Sequence, residues 1–329
     1  MLVLSASAAG LAAPAFAQQQ DVAAEDEADI VVTAQRANET QVIRGGNVGV
    51  LGDKPAEDVP FTIRSYNEAL ILNQQPVTLG ELLENDPTVR TTYGFGNAAE
   101  QFVIRGFPLF GDDVGINGLY GIAPRQLIAP ELYEQVQVLN GASAFLNGAA
   151  PGGTGVGGSV NLIPKRAAAR PLARLTAGYV SEEHFGGSGD VSRRIGNWGV
   201  RLNGAYRSGE VGIEDEDRTT LVAGGALDYL SANFRASLTL AYQRMEVEQL
   251  RPKVTLATAV VPAVPEADAN YAQPWTFTEL RDVFGTLTLE YDVADNATIY
   301  AAFGARDGRE DGIYGGITVT DAATGAATG

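Results

Sequence analysis

Trp198-Gly199-Val200-Arg201-Leu202-Asn203-Gly204-Ala205-Tyr206-Arg207-Ser208 is the stretch that decides the fold. Its even positions carry Trp198, Val200, Leu202, Gly204 and Tyr206, and its odd positions carry Gly199, Arg201, Asn203, Ala205 and Arg207. Successive side chains of a strand point to opposite faces, so this is a strand with one apolar and one charged face. Phe234 to Gln243 repeats the pattern, as does Val283 to Asp292 with Val283, Gly285, Leu287, Leu289 and Tyr291 on one side. Leu175 to Val180 and Ile299 to Arg306 fit it less cleanly, and Thr219 to Tyr229 alternates with two mild faces.

The joins between these strands alternate in length. Those near Gly196-Asn197, Leu230 to Asn233 and Asp292 to Asn296 are short. Those near Ser181 to Gly186, Gly209 to Asp217 and Arg251 to Phe277 are longer. A β-sandwich would also alternate in polarity, but it has no reason to segregate loop length in this way. An outer-membrane barrel does, with short turns on one side and long loops on the other. Tyr179, Trp198, Tyr206, Tyr229, Tyr242 and Tyr291 lie near strand ends, where a lipid interface favours aromatic rings. No run of about 20 apolar residues is present for a membrane helix, a test that barrel strands escape because alternation averages out.

Composition narrows the function classes. A net charge of −17 argues against nucleic acid or anionic lipid as the main partner. With no cysteine, a single histidine (His184) and no metal-spaced cluster, thiolate, zinc or nucleophilic chemistry has no residues to rest on. The chain reads as a non-enzyme without catalytic, cofactor or metal sites.

Upstream of the strands the chain divides into three parts. Residues 1–17 are small and apolar and end in Ala15-Phe16-Ala17, the A-x-A pattern of a secretory signal peptide, although no Lys or Arg precedes Arg36. Residues 18–54 read as a periplasmic leader, polar and acidic at first and flexible after residue 37. Within it Asp29-Ile30-Val31-Val32-Thr33-Ala34-Gln35-Arg36 is a short β-branched run with no local partner, the form a peptide needs to add to another protein's sheet edge. Residues 55–166 read as a compact α+β domain. It has helical pieces between Asn67 and Asn85, with Thr78 and Glu81 spaced as a capping box. Strands are predicted at Gln101 to Arg105, Tyr133 to Leu139 and Ser159 to Ile163. The glycine-rich Pro151 to Gly158 lacks the Lys-Ser/Thr of a phosphate loop and precedes no helix, so it is read as tight backbone turning.

Residues 59–166 resemble the plug of TonB-dependent siderophore receptors. The resemblance rests on Val59-Pro60-Phe61-Thr62-Ile63, Thr78-Leu79-Gly80-Glu81-Leu82-Leu83 and Asp86-Pro87-Thr88-Val89. It continues through Phe102-Val103-Ile104-Arg105-Gly106-Phe107, Ile116-Asn117-Gly118-Leu119 and Val136 to Gly148. Pro151-Gly152-Gly153 and Gly158 to Arg166 complete it. It implies an α+β plug followed by an antiparallel transmembrane β-barrel of about 22 strands in the outer membrane of a Gram-negative bacterium. It further implies active uptake of ferric siderophores, with iron arriving only as the chelate. Asp29, Ile30, Val31, Val32 and Thr33 then occupy the position of the TonB box, where TonB would add a strand and pull. The apical loops that would meet the siderophore fall at Tyr93 and Phe95, at Phe110, Gly111 and Asp112, and at Tyr120. Arg105 would be a buried cation locking plug to barrel. The family's second cation is replaced by Asn140, so a weaker lock is expected.

The segment 167–329 is long enough for about seven strands at roughly 10 membrane residues each, so the chain is expected to be an N-terminal fragment. Cobalamin, haem or an oligosaccharide would use the same machinery. The Pro-Gly-Gly turn and Lys165-Arg166 favour the siderophore branch, and the single histidine weakens a haem reading. A signalling receptor would need an extra domain before residue 29, which the short leader does not provide.

Overall fold

The computed structural model describes residues 2–6, 42–47, 53–55, 58–59, 61–93, 98–142, 144, 148–179, 183–294 and 297–329. Strands β1 (Leu2–Ala6), β2 (Val42–Asn47), β3 (Asp53–Pro55) and β4 (Thr62–Asn67) lead into helices α1 (Glu68–Gln74) and α2 (Leu79–Leu83). Then follow β5 (Val89–Tyr93), β6 (Glu100–Ile104), β7 (Phe107–Leu109), β8 (Gly115–Ile116), β9 (Tyr133–Asn140) and β10 (Gly158–Pro164). The second half holds β11 (Leu172–Tyr179), β12 (Phe185–Ile195), β13 (Trp198–Glu210), β14 (Asp217–Leu230) and β15 (Phe234–Glu248). It ends with β16 (Val254–Leu256), β17 (Phe277–Ala294), β18 (Ala297–Ile313), β19 (Ile317–Val319) and β20 (Ala327–Thr328).

The N-terminal domain is built on a sheet of order β3-β2-β4-β9-β10-β8 and a small sheet β5-β6-β7. Both helices start as their sequences dictate. Asn67 Oδ1 accepts from Leu70 N at 3.1 Å, and Thr78 Oγ1 accepts from Glu81 N at 3.5 Å while Glu81 Oε2 takes Val77 N at 2.7 Å. These caps satisfy amides that the first helical turn leaves without carbonyl partners. Leu79, Leu82 and Leu83 then turn inward onto Phe102, Ile104, Tyr133 and Val136, all fully buried. The domain begins earlier than its sequence suggests. Val42–Asn47, expected as flexible linker, pairs with β4 through Val42↔Tyr66, Ile43↔Ser65 and Arg44↔Arg64. Two β-branched residues beside an open sheet edge outweigh the glycines that follow them.

Glycine shapes the turn before β10 as expected. Gly153 and Gly155 adopt φ of 73° and 86°, a left-handed backbone that costs other residues strain. A Cβ at Gly157 would collide with the Ile104 carbonyl oxygen, so the turn packs backbone to backbone on β6.

The second half is an antiparallel meander of seven long strands, β11-β12-β13-β14-β15-β17-β18, with β1 paired along the outer edge of β11. Among the described residues the sheet does not close, since β18 pairs only with β17. Two of its joins are turns of two and three residues, between Ile195 and Trp198 and between Leu230 and Phe234, whereas β15 and β17 are joined by residues 249–276.

The polarity of this sheet is inverted relative to a soluble sandwich. Leu175, Leu202, Leu240 and Phe303 are more than half exposed, whereas Asp190, Arg201, Gln243, Asp282 and Thr286 are buried. A soluble sandwich would bury the leucines. Here the face that wraps the N-terminal domain carries the polar residues, together with an apolar patch of Val222, Met245, Leu280 and Phe284, and the other, apolar face looks outward, as a wall in lipid requires. Trp198, Tyr229 and Phe234 cluster at the short-turn end, with ring centroids 4.9 and 6.1 Å apart.

One strand has no counterpart in the sequence reading. Phe185–Ile195 was expected partly as loop, because Gly186, Gly187 and Gly189 blank the alternation. It is nonetheless a full strand, with Val191 and Ile195 outward and Asp190 and Ser192 buried inward.

Candidate functional site: the seat of the inner domain in the wall

A sheet with polar groups on its inner face holds its contents by specific bonds, and several groups of contacts bind the inner domain. The densest lies in the short-turn half of the wall. Glu68, the first residue of α1, meets Arg201 at 2.7 Å, Arg174 at 3.0 Å and Lys165 at 3.2 Å. Arg201 also grips Asp190 with two bonds, Nε to Oδ1 at 2.8 Å and Nη2 to Oδ2 at 2.6 Å, and Lys165 reaches Asp190 at 3.0 Å. Glu134 completes the group 3.9 Å from Arg201. Three cations face three carboxylates, so the cluster is neutral overall, and Lys165, Asp190 and Arg201 are buried. The inner domain supplies Glu68, Glu134 and Lys165; the wall supplies Arg174, Asp190 and Arg201. Burial makes each charge depend on its partners, because a charge left alone in low dielectric is costly.

A second clamp is neutral. The fully buried Gln243 of β15 donates Nε2 to Leu127 O at 2.8 Å and accepts Ala129 N at 2.9 Å on its Oε1. One side-chain amide thus pairs with the backbone as a neighbouring strand would. A third contact joins Arg207 of β13 to Glu131, whose carboxyl burial pushes above its ordinary range although Arg207 opposes the shift. The wall also carries glycine where the inner domain presses closest. A Cβ at Gly224 would come within 2.9 Å of Leu132, and one at Gly304 within 2.9 Å of Ile122.

The opposite end of the inner domain faces the long connections. There Thr91, Glu100, Arg218, Ile213, Val247 and Leu250 line a cavity of about 270 Å³ between the two parts. Glu100 accepts a hydrogen bond from the Thr78 hydroxyl and one from Gly80 N at 3.0 Å. Burial outweighs these bonds and raises its carboxyl to about 7.

The residues expected at the apices fall in three places. Phe110 is 39% exposed, and Asp112 is half-buried and paired with Arg125 at 3.1 Å. Gly111 between them is buried, and a Cβ there would strike the Arg125 carbonyl oxygen, so this apex is fixed by backbone packing. Asp113 secures it from below by accepting Thr154 N at 2.9 Å. Tyr120 is half-buried, in the segment between β8 and β9. Tyr93 ends β5, and Phe95 lies outside the described residues, as do Asp29, Ile30, Val31, Val32 and Thr33.

Arg105 is the residue expected to lock the plug to carboxylates further along the barrel. It stands exposed in the turn between β6 and β7 with φ of 52°, and it has no ion pair among the described residues. The turn projects the side chain out of the sheet, beside Gly141 and away from the wall cluster. Asn140 is buried inside the domain, 2.9 Å from the Thr88 hydroxyl, which in turn bonds Asp86 at 2.6 Å. Among the described residues the densest ionic contact between domain and wall is that of Glu68 with Arg201, which carry no local sequence signal.

A family model described as TonB-dependent Receptor Plug Domain matches residues 55–154. The ferrichrome receptor FcuA of Yersinia enterocolitica is 41% identical over 286 residues, covering 85% of this chain and 38% of that receptor. Among solved structures, BauA, the ferric preacinetobactin receptor from Acinetobacter baumannii, has a TM-score of 0.82 at 36% identity, covering 86% of this chain and 43% of its own. The ferripyoverdine receptor of the outer membrane of Pseudomonas aeruginosa shares the fold, with a TM-score of 0.64 at 18% identity over 76% of this chain and 35% of that one. The chain thus spans about two fifths of the length of FcuA and of BauA.

Proposed function

Because the chain belongs to the TonB-dependent receptor family, with its plug at residues 55–154, we propose that the protein it forms part of takes up ferric siderophores across the outer membrane. FcuA and BauA are named for ferrichrome and ferric preacinetobactin, and both point to an iron chelate as cargo. No bond in the cargo need be made or broken. The chain's task is to hold a passage shut and to release it when pulled.

The observation that carries this reading is the ion cluster around Glu68. TonB would add a strand to Ile30 to Thr33, using backbone donors and acceptors that a leader peptide leaves free. Tension along the leader then reaches β2, whose first residue, Val42, pairs with Tyr66. Glu68 follows two residues later, already bonded to Arg201, Arg174 and Lys165. A pull is therefore delivered beside the densest plug-to-wall contact. The siderophore would be received at the other end, by Tyr93, Phe95, Phe110, Gly111, Asp112 and Tyr120. Rings there cover apolar parts of a chelate, and polar groups orient it. Residues 1–17 would be removed on export, which frees the edge of β11 that Leu2–Ala6 covers.

The test is growth of an iron-starved strain carrying the full-length gene, fed single ferric siderophores. Growth on at least one of them that requires both the gene and TonB is the expected result. Equal growth with and without the gene on every siderophore would overturn the proposal.

A further inference from the structure

Two of the long connections are tied to each other by bonds that passage of a chelate does not require. Residues 211–216 join β13 to β14, and residues 249–276 join β15 to β17. Glu214 N donates to Asp268 O at 2.9 Å, and Asn270 Nδ2 donates to Glu214 O at 2.7 Å and to Gln249 O at 2.9 Å. Glu216 is fully buried and accepts Arg251 N on Oε2 at 3.3 Å. Its other oxygen takes two bonds from Arg218 of β14, Nε at 2.9 Å and Nη2 at 2.6 Å. Glu216 is thus the buried node at which a wall strand and both connections meet.

That node borders the cavity between plug and wall. Arg218 lines the cavity from β14, and Glu100 lines it from the plug. The rest of the lining decides what answers a charge on Glu100. Helix α2 supplies Glu81, and Glu84 follows at its end; both have the same sign as Glu100. From β5 comes the neutral Thr91, while Val247 and Leu250 are apolar. Arg218 is therefore the one cation among the described residues of the lining. Burial outweighs the bonds from Thr78 and Gly80 and raises the Glu100 carboxyl to about 7, so its charge changes near neutrality in sight of Arg218.

A carboxylate ionised in a buried place needs a counter-charge. A guanidinium keeps its proton at any relevant pH and carries five N–H donors in a planar fork, enough for two carboxylates. We propose that Glu100 and Arg218 form a proton-operated latch between plug and wall. With Glu100 neutral, Arg218 grips Glu216 with both nitrogens, and the two connections are held together. With Glu100 ionised, the guanidinium is shared across the cavity and ties the plug to β14. Glu216 then keeps a weaker hold on Arg251 N, and the connections part. Acid frees this end of the plug and shuts the connections over it; alkali does the reverse. The competing partner is water in the cavity, which would serve the ionised Glu100 and leave Arg218 on Glu216. The latch does not depend on which cargo is carried.

The experiment follows hydrogen exchange of peptides covering 209–217 and 249–276 in the full-length receptor, at about pH 5.5 and about pH 8.5, corrected for the intrinsic pH dependence of exchange. Protection is expected to fall roughly threefold at the higher pH, with its midpoint near 7. Glu100→Gln mimics the neutral carboxyl and should hold the protected state at both pH values. Arg218→Gln should lose protection at both. It should also move the Glu100 titration upward, because an attracting cation is gone; the carboxyl infrared signal that Glu100→Gln abolishes reads this. If Arg218→Gln fails to assemble, Arg218→Lys keeps the charge without the fork and should keep the pH step at lower protection. Equal protection at both pH values in the unaltered receptor overturns the proposal. So does a step that survives Glu100→Gln, a Glu100 titration unmoved by Arg218→Gln, or a step lost in Arg218→Lys. None of these readouts is transport, so failure of the latch is distinguishable from failure of the uptake reading.

Discussion

Arg201 of the wall and Glu68 of the plug meet at 2.7 Å across 133 residues of sequence, and the same guanidinium nitrogen reaches Asp190 Oδ2 at 2.6 Å. One wall residue thus joins a strand-to-strand bond to a strand-to-plug bond. Glu68→Ala leaves three cations sharing Asp190 and Glu134. It is expected to loosen the plug by about 3 kcal/mol, the lower part of the range for removing one member of a buried ion pair. Arg201→Ala should cost at least as much, because Glu68 and Asp190 each lose one of their cation partners at once. The two losses should not add in the double variant. Hydrogen exchange of α1 amides in the full-length receptor measures this; additive effects would show that the pair is not coupled.

Gln243→Leu tests the neutral clamp. Leucine is of similar size but leaves Leu127 O and Ala129 N without their partner, each at about 1–3 kcal/mol. Exchange at Ala129 is expected to quicken while α1 is unaffected, since Glu68 retains its contacts. Uniform loosening of the whole plug would show that the clamps act as one unit.

Glu100 gives the plug a pH dependence. Its carboxyl titrates near 7 in the fold and near 4.5 when exposed. Between those values the folded form holds the extra proton, so stability falls as pH rises from about 4.5 to about 7 and is flat above. Thermal midpoints taken across that window should decline, and Glu100→Gln should remove the decline. A slope that survives the substitution assigns it to another group.

Asn140→Lys would place a cation where the resemblance to siderophore receptors implies one. Asn140 is buried against Thr88, near Asp86 and its unpaired Oδ2, and not against the wall. The new ammonium is therefore expected to find Asp86 inside the plug and to destabilise the plug by about 1–2 kcal/mol through incomplete solvation. Plug-to-wall mobility should not change. A fall in that mobility, read from spin labels on plug and wall, would restore the idea of a lock at this position.

Most of the wall was legible because its outward rings and leucines recur every second residue, as in Trp198 to Tyr206 and Val283 to Tyr291. Phe185–Ile195 was not, since glycine carries no polarity to alternate. Val42–Asn47 was hidden for the opposite reason: its pairing partner, β4, lies beyond an intervening stretch that reads as linker. The ion cluster was invisible in principle. Glu68, Lys165, Asp190 and Arg201 are scattered over the chain, and only folding converges them. Their single trace is that Arg201 lies on the charged face of a strand whose other face is apolar, which shows that the face is inward without naming its partner. The apical residues are placed by the resemblance, and the structure shows why Gly111 must be glycine there but not what Phe110 would touch.

The inverted polarity of the wall has a consequence for how the plug moves. A core whose two surfaces were both greasy would resist separation along its whole length, because every step would wet apolar area. Here the half of the sleeve near the short turns is lined with Asp190, Ser192, Asn203, Thr286 and Thr288, groups that water can serve as well as the plug does, whereas Val222, Met245, Leu280 and Phe284 in the other half join the plug's apolar core. Sliding in the polar half exchanges one set of hydrogen bonds for another at little net cost. Resistance there concentrates in the Glu68 cluster, while the apolar half resists in proportion to the area that each step would wet.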